Sequence, residues 1–334
     1  MSVVRKAIHA EPLTEQEAGD LLHAIASGDA TPVQIAGALI ALRTRGETTD
    51  EIAGMARAMR ELSEKVNAKS ENLLDTCGTG GDRCNTFNIS TAAAFIAAAA
   101  GAKIAKHGNR AVSSPCGSAD VLEALGIKID LAPPDVARAI NQVGIGFMFA
   151  PVMHPAMKGA APIRRELGAR TIFNLLGPLT NPAGAKIQLL GVFDKKWVRP
   201  VAEALGQLGS KRALVVHGEV GLDEISPVGT TFAALLDESS AVTEITLSPS
   251  DFGLKEVELS QIEAGASPSE NAEKLRLALS EPGHPCSVSA TLNAAAAIWL
   301  CGLAPTLLVA AHLAQEAVGS GEALAKVEEL IRFA

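Results

Sequence analysis

Tyrosine is absent from this chain, and nine phenylalanines and two tryptophans make up its whole aromatic complement. A core without that bulk has to come from Ala, Leu, Val and Ile, with close alanine-mediated helix contacts. Cysteine is sparse as well. Cys77, Cys84, Cys116, Cys286 and Cys301 are odd in number, and no two stand at a metal-ligand spacing such as C-x-x-C. They read as reduced thiols and point to a cytoplasmic protein. Long apolar runs are missing. The most apolar stretch, AAAFIAAAAG at 92–101, is far too short to span a bilayer, which takes about 20 residues. The opening MSVVRKAIHAEPLTEQEA lacks the apolar run of a signal peptide. Positive charge is in deficit too: 29 Lys and Arg stand against 37 Asp and Glu, for a net charge of −8, and the cations are scattered. Nucleic-acid partners call for a basic face, so neither nucleic acid nor membrane is expected as a partner. An acidic total does not exclude an anionic small molecule, because screening confines a charge's influence to about 8 Å at physiological salt and a few local cations decide.

What is present is enough chain, 334 residues with 48% apolar, for two domains or one large one with a sizeable core. Residues 1–70 read as helices only. Thr14 with Glu17, Thr31 with Gln34 and Thr48 with Glu51 form capping boxes, and Pro32 fits a first helical position. SEKVNAKSEN at 63–72 reads as a linker. From residue 73 short strand candidates at 73–77, 103–107, 146–150, 187–193 and 212–218 alternate with helix candidates at 90–100, 118–125, 134–142, 155–167 and 196–208. That alternation predicts an α/β fold with a mainly parallel sheet and helices on both faces. Residues 230–247 read as edge strands, and the tail from 269 as mostly helical. The expected organisation is a small helical domain at 1–70, joined by part of 155–185, and an α/β catalytic domain at 71–334.

DTCGTGGDRCNTFNIST at 75–91 follows an apolar strand and precedes a helix. Strand, glycine loop and helix start gather backbone N–H groups around a phosphate. The Walker A loop fails, because Ile89 rather than Lys precedes Ser90. The dinucleotide fingerprint fails, because Arg83 stands where its last glycine belongs, and with it a nicotinamide enzyme. Ser90 or Thr91 sits where the N-cap is expected. A second polar loop, KHGNRAVSSPCGS at 106–118, follows the next strand and also leads into a helix. Two such loops at successive strand ends lie where open α/β folds bind ligands, and suit a ligand with phosphate at both ends. GLDEIS at 221–226 follows a third strand. A diphosphate brings Mg²⁺, and Mg²⁺ is usually held by one or two carboxylates with phosphate oxygens and waters.

Together these segments resemble the anthranilate phosphoribosyltransferase family: GTGGD, NTFNISTA, AKHGNR with VSS, GSADVLEALG, FMFAP with His154, the helix bearing Arg164 and Arg165, NLLGPLTNP and GLDE, in the family's order over essentially the whole chain. The resemblance implies a transferase that moves the phosphoribosyl group of 5-phosphoribosyl 1-diphosphate (PRPP) to the anthranilate amine in tryptophan biosynthesis. It implies PRPP contacts from Gly78, Gly80, Gly81 and Asp82; from Thr86, Asn88, Ile89, Ser90 and Thr91; and from Lys106, His107, Gly108, Asn109, Arg110, Ala111, Val112, Ser113, Ser114 and Ser118. It implies anthranilate contacts from Gly78, His107, Asn109, His154, Arg164 and Pro178, and Mg²⁺ ligands Ser90, Asp223 and Glu224. Lys106, His107, Asn109 and Arg164 are the catalytic candidates. A homodimer paired through the helical domain follows from the same likeness, and an anthranilate synthase subunit is a candidate partner. Arg83 departs from the family, which commonly has glycine there. A pyrimidine nucleoside phosphorylase-like enzyme is the nearest alternative, needing a phosphate loop but no acidic metal site. A non-catalytic nucleic-acid-binding relative is the other.

Overall fold

The computed structural model describes residues 2–82, 84–111 and 115–333. The expectations attached to Arg83, Val112, Ser113 and Ser114 fall outside the described residues.

The chain begins with helices α1 (Val3–Ile8), α2 (Glu15–Ser27), α3 (Pro32–Arg45) and α4 (Thr49–Glu61). The threonine capping boxes form as read: Thr14 Oγ1 accepts from the Glu17 amide at 3.3 Å while Glu17 accepts from the Thr14 amide at 2.9 Å, and α3 and α4 repeat the pattern. Glu51 goes further. Fully buried, it also accepts from the Leu13 amide at 2.9 Å and pairs with Arg45, which ties the start of α2 to α4.

The α/β part follows: β1 (Leu73–Gly78), α5 (Ile89–Ala99), β2 (Lys103–Gly108), α6 (Ser118–Ala124), α7 (Pro133–Gln142), β3 (Ile145–Phe149), α8 (Ala150–Met153), α9 (Ala160–Leu167), α10 (Phe173–Leu179), β4 (Ile187–Gly191), α11 (Val198–Gln207), β5 (Arg212–Gly218), β6 (Thr231–Leu236), β7 (Val242–Leu247), and then α12 (Pro268–Ser280), α13 (Pro285–Leu300), α14 (Leu307–Gly319) and α15 (Glu322–Phe333). The strands form one sheet in the order β3-β2-β1-β4-β5-β6-β7. The first five are parallel; β6 and β7 run antiparallel and form one end, as edge strands were expected to. From β1 the chain moves outward to β2 and β3, then returns to place β4 on the other side of β1. The strand order therefore reverses between β1 and β4, and ligands of open α/β sheets bind outside the carboxyl ends of strands at such a point.

Side chains alternate across the sheet, so each face has its own core. Leu189, Leu214 and Val216 belong to the core beneath the alanine-rich α5 and α13. Leu190, Ala213 and Val215 belong to a core shared with α11, α10 and the helical start. Alanine fills the space that aromatics do not: nearly all of α5 and α13 is buried. Among the described residues no helix is long and apolar enough to cross a membrane.

Three local expectations need correction. The helix expected at 155–167 is divided, with a 3-10 turn at Pro155–Gly159 before α9; Pro162 lacks the N–H that one continuous helix would pair with Lys158 O, and a helix that starts at Ala160 places it in the first turn, where no donor is needed. β4 ends at Gly191, two residues before the expected boundary. The 63–72 linker is pinned: the Glu64 amide donates to Met153 O at 2.9 Å, the Val66 amide to Pro182 O at 3.2 Å, and Val66 is buried.

Candidate active site at the carboxyl edge of the sheet

Strands β1, β2, β4 and β5 each end in glycine, at Gly78, Gly108, Gly191 and Gly218. For β1 and β4 the reason lies in the turn after β5. A Cβ on Gly191 would fall 1.5 Å from the Asp223 carbonyl oxygen, and one on Gly78 would fall 2.6 Å from Asp223 Oδ2. The GLDE turn therefore lies across the ends of β1 and β4, at the point where the strand order reverses, and only glycine allows backbones that close.

The glycine loop meets the acidic turn directly. Gly80 and Gly81 take positive φ, 66° and 74°, and the Gly80 amide donates to Asp223 Oδ2 at 2.7 Å. Asp82 reaches the same turn, accepting from the Asp223 amide at 3.4 Å and from the Cys84 amide at 3.2 Å. The Thr79 amide donates to Gly191 O at 2.9 Å. Glu224, 8% exposed, accepts from the Ser90 amide at 3.0 Å.

This last bond corrects the cap assignment. The N-cap of α5 is Asn88, not Ser90 or Thr91, and its side chain does not cap; it donates to Cys116 O at 3.1 Å. The free amides of the first turn draw a carboxylate from a distant loop instead, as the positive end of a helix favours.

Burial pushes Glu224 up to about 8, against the pull of Lys106. Burial, with the Asp82 and Glu224 charges beside it, pushes Asp223 well above the usual carboxylate range. Acidic groups thus crowd one spot without matching positive charge, which is the donor set a cation suits. Among the described residues no group of three or more His, Cys, Asp or Glu can hold a metal ion alone. Mg²⁺ fits such a partial set, because it keeps waters and takes remaining ligands from substrate phosphates.

On the β2 side, Lys106 is 2% exposed, and its ammonium donates to Thr76 O at 2.6 Å. It therefore lies under the strand ends, within the field of Asp75 and Glu224. Asp75 is fully buried; it accepts from the His107 amide at 3.2 Å and from Asn181 Nδ2 at 2.7 Å. Asn181 Nδ2 also donates to Ala105 O at 2.8 Å, so the NLLGPLTNP segment braces both β1 and β2. Burial raises Asp75 to about 6, with Lys106 pulling it back. This brace was missed from sequence, although a carboxylate inside the apolar run LLDTC was the signal: a buried charge requires partners.

The described residues on either side of the loop after β2 bond to each other. The Asn109 amide donates to Ser118 Oγ at 3.2 Å, and Asp120 accepts from the Ala111 and Gly117 amides, each at 2.9 Å. Arg110 pairs with Asp120 at 2.9 Å and Glu123 at 2.8 Å, so its guanidinium is already engaged.

His107 and His154 lie side by side with ring centres 5.0 Å apart. Burial holds both down, to about 3 and about 4, so both are neutral. Pro178 O, on α10, accepts from Gln188 Nε2 at 2.8 Å. Arg164 sits exposed on α9, 5.0 Å from the centre of the Phe173 ring, with no ion-pair partner among the described residues. No direct bond joins it to Asn109 or Gly78 among the described residues. Arg170, unmarked by the sequence pattern, donates to the Gly81 carbonyl and lies over the Phe193 ring at 4.5 Å.

Two family models match the chain in succession. Residues 1–63 match the model of the glycosyl transferase family helical bundle domain, and residues 70–324 match that of the glycosyl transferase family a/b domain. An anthranilate phosphoribosyltransferase of Alkalilimnicola ehrlichii is 50% identical over 329 residues, 98% of this chain and 97% of that protein. The crystal structure of anthranilate phosphoribosyltransferase from Thermus thermophilus superposes with a TM-score of 0.93 at 46% identity, covering 100% of this chain and 99% of that one. The enzyme from Saccharomyces cerevisiae in complex with PRPP and Mg superposes with a TM-score of 0.88 at 31% identity, covering 99% and 96%.

Proposed function

The chain belongs to the anthranilate phosphoribosyltransferases of the glycosyl transferase family, and from that premise we propose which residues carry each part of the reaction. It transfers the phosphoribosyl group of PRPP to the amine of anthranilate, giving N-(5-phosphoribosyl)anthranilate and diphosphate, with Mg²⁺ as cofactor. Its place is tryptophan biosynthesis.

One observation carries the donor site. Asp223 accepts from the Gly80 amide at 2.7 Å while Glu224 accepts from the Ser90 amide at 3.0 Å, so the glycine turn, the start of α5 and the acidic pair lie within reach of one small molecule. With the Gly80 and Ser90 amides held by Asp223 and Glu224, the Gly81 and Asp82 amides and the positive field at the end of α5 receive phosphate oxygens. Lys106 adds positive charge from beneath, and Asn109, Arg110 and Ser118 line the β2 side. Ser90, Asp223 and Glu224 would hold Mg²⁺, which offsets the charge of the departing diphosphate.

Bond breaking at the anomeric carbon runs ahead of bond making, as in glycoside chemistry, and attack from the opposite face inverts that carbon. The acceptor has to be placed more than activated, because an aryl amine is an adequate nucleophile. Arg164 forks onto its carboxylate and Asn109 orients the ring substituents. His107, His154 and Pro178 flank the ring. Held neutral by burial, His107 takes up a proton only after the amine nitrogen has bonded to carbon and become acidic.

The dimer is supported by an apolar face on the helical start: Val33 is 82% exposed, and with Ala36, Gly37, Ile40, Ala41 and Leu167 it lines a groove of about 700 Å³. We propose that a second copy covers this face. Five free thiols support a cytoplasmic location; an anthranilate synthase subunit remains a candidate partner.

The test is diphosphate release from PRPP and Mg²⁺ with and without anthranilate. Release that depends on anthranilate supports the assignment. No release, together with phosphorolysis of a pyrimidine nucleoside, would place the chain with the nucleoside phosphorylases instead.

A further inference from the structure

Arg170 lies outside every segment that resembles the family's binding motifs, yet it touches the glycine loop. It follows α9, the helix of Arg164, after a left-handed turn at Gly168 with φ 56°. Its guanidinium donates to the Gly81 carbonyl and stacks on Phe193, 4.5 Å from the ring centre. Phe193 is held in turn, its amide donating to Thr79 Oγ1 at 3.0 Å, while the Thr79 amide donates to Gly191 O at 2.9 Å. Arg170 therefore joins three pieces: the end of α9, the end of β4 and the turn of the glycine loop. It has no carboxylate partner among the described residues.

The geometry of the peptide unit gives this contact a consequence. No peptide among the described residues is cis. In a trans peptide the carbonyl and the following N–H point in opposite directions. With the Gly81 carbonyl turned onto Arg170, the Asp82 N–H is turned away from it. Gly80 and Gly81 both take positive φ, which leaves this loop free to adopt other conformations that a side chain would forbid. Something has to select one. A Cβ on Gly81 would lie 3.1 Å from the Arg170 guanidinium, so the arginine occupies the side of the turn that a larger residue would fill.

We propose that Arg170 is a positioning residue that sets the direction of the Asp82 amide in the 80–82 turn for the phosphoribosyl donor, and that it links this turn to the helix facing the acceptor. The inference rests on the donor-site assignment above. Arg170 acts through the loop backbone and touches neither substrate. Phe193 aims it, and the connection through Gly168 makes the loop sensitive to movement of α9.

The test compares wild type with Arg170→Ala, Arg170→Lys, Phe193→Leu and the Ala/Leu double variant. The readouts are PRPP and anthranilate KM, kcat and melting temperature. Arg170→Ala is expected to raise PRPP KM about tenfold, because a turn released from one charge-assisted hydrogen bond spends correspondingly less time in the conformation that binds the donor, with a much smaller change in melting behaviour. Arg170→Lys, which keeps a donor, should recover part of that loss. Phe193→Leu should raise PRPP KM less, and the double variant should be no worse than Arg170→Ala, because both changes remove one contact. A PRPP KM within about twofold of wild type in Arg170→Ala would overturn the proposal, since a lost charge-assisted bond costs more than that. So would equal rises in both KM values, or additive effects in the double variant. An inactive wild type would refute the donor-site assignment itself, whereas an active wild type with an indifferent Arg170→Ala would refute only this inference.

Discussion

Arg164 carries the most specific demand on a single side chain. It is exposed on α9 and stacked near Phe173, with no carboxylate to hold it among the described residues. A charge-assisted bond to the anthranilate carboxylate is worth about 1.5–3 kcal/mol. Arg164→Ala is therefore expected to raise anthranilate KM roughly tenfold or more and to leave PRPP KM nearly unchanged. Steady-state kinetics with each substrate varied in turn check this, and equal changes would count against it. Legibility at this scale followed chemistry. Asp223, Glu224 and the glycines were readable because a phosphate loop and an acidic pair after a strand have recognisable forms. Arg170 was not, because its partner is a backbone carbonyl, and any residue supplies one. Asn181 stood inside a quoted segment, but its contact with Asp75 depends on β1 and β2 lying side by side.

The five parallel strands were legible to within two residues, four of them as short runs that end in glycine, whereas β6 and β7 were read only together as edge strands within 230–247. The start of α5 was not. Its cap comes from Glu224, 134 residues away, and no local pattern announces it. The seating of that acidic turn on β4 is a property of the element, and it makes a prediction. In Gly191→Ala the new Cβ would fall 1.5 Å from Asp223 O, so the turn has to lift from the strand end. Misplacement of about 1 Å in a reacting arrangement costs on the order of a hundredfold in rate. Gly191→Ala is expected to lose about that much kcat/KM while circular dichroism retains its helix and strand signal. A variant with full turnover would contradict the turn's seating on β1 and β4.

At the scale of the whole molecule, a net charge of −8 is compatible with the proposed donor site because the positive groups assigned to it are local: Lys106 beneath the strands, with the loop amides and the positive end of α5. The scarcity of aromatics was legible as an alanine core, and the structure packs α5 and α13 that way. The apolar face around Val33 was not legible, since α3 reads as an ordinary buried-face helix until its neighbours are placed. Val33→Asp is expected to shift the protein from dimer to monomer in sedimentation velocity at micromolar concentration, with the melting temperature little changed because Val33 is 82% exposed in the single chain. A wild type that already sediments as a monomer would remove the proposed pairing.

The measurement that bears most directly on the whole account is the Mg²⁺ dependence of diphosphate release in Asp223→Asn with Glu224→Gln. These side chains hold the glycine turn and the start of α5 through the Gly80 and Ser90 amides, and Asn and Gln keep their shape while removing their charge. The account predicts that Mg²⁺-stimulated turnover with PRPP and anthranilate disappears in the double variant while the fold remains. An unchanged rate and an unchanged Mg²⁺ response would contradict it.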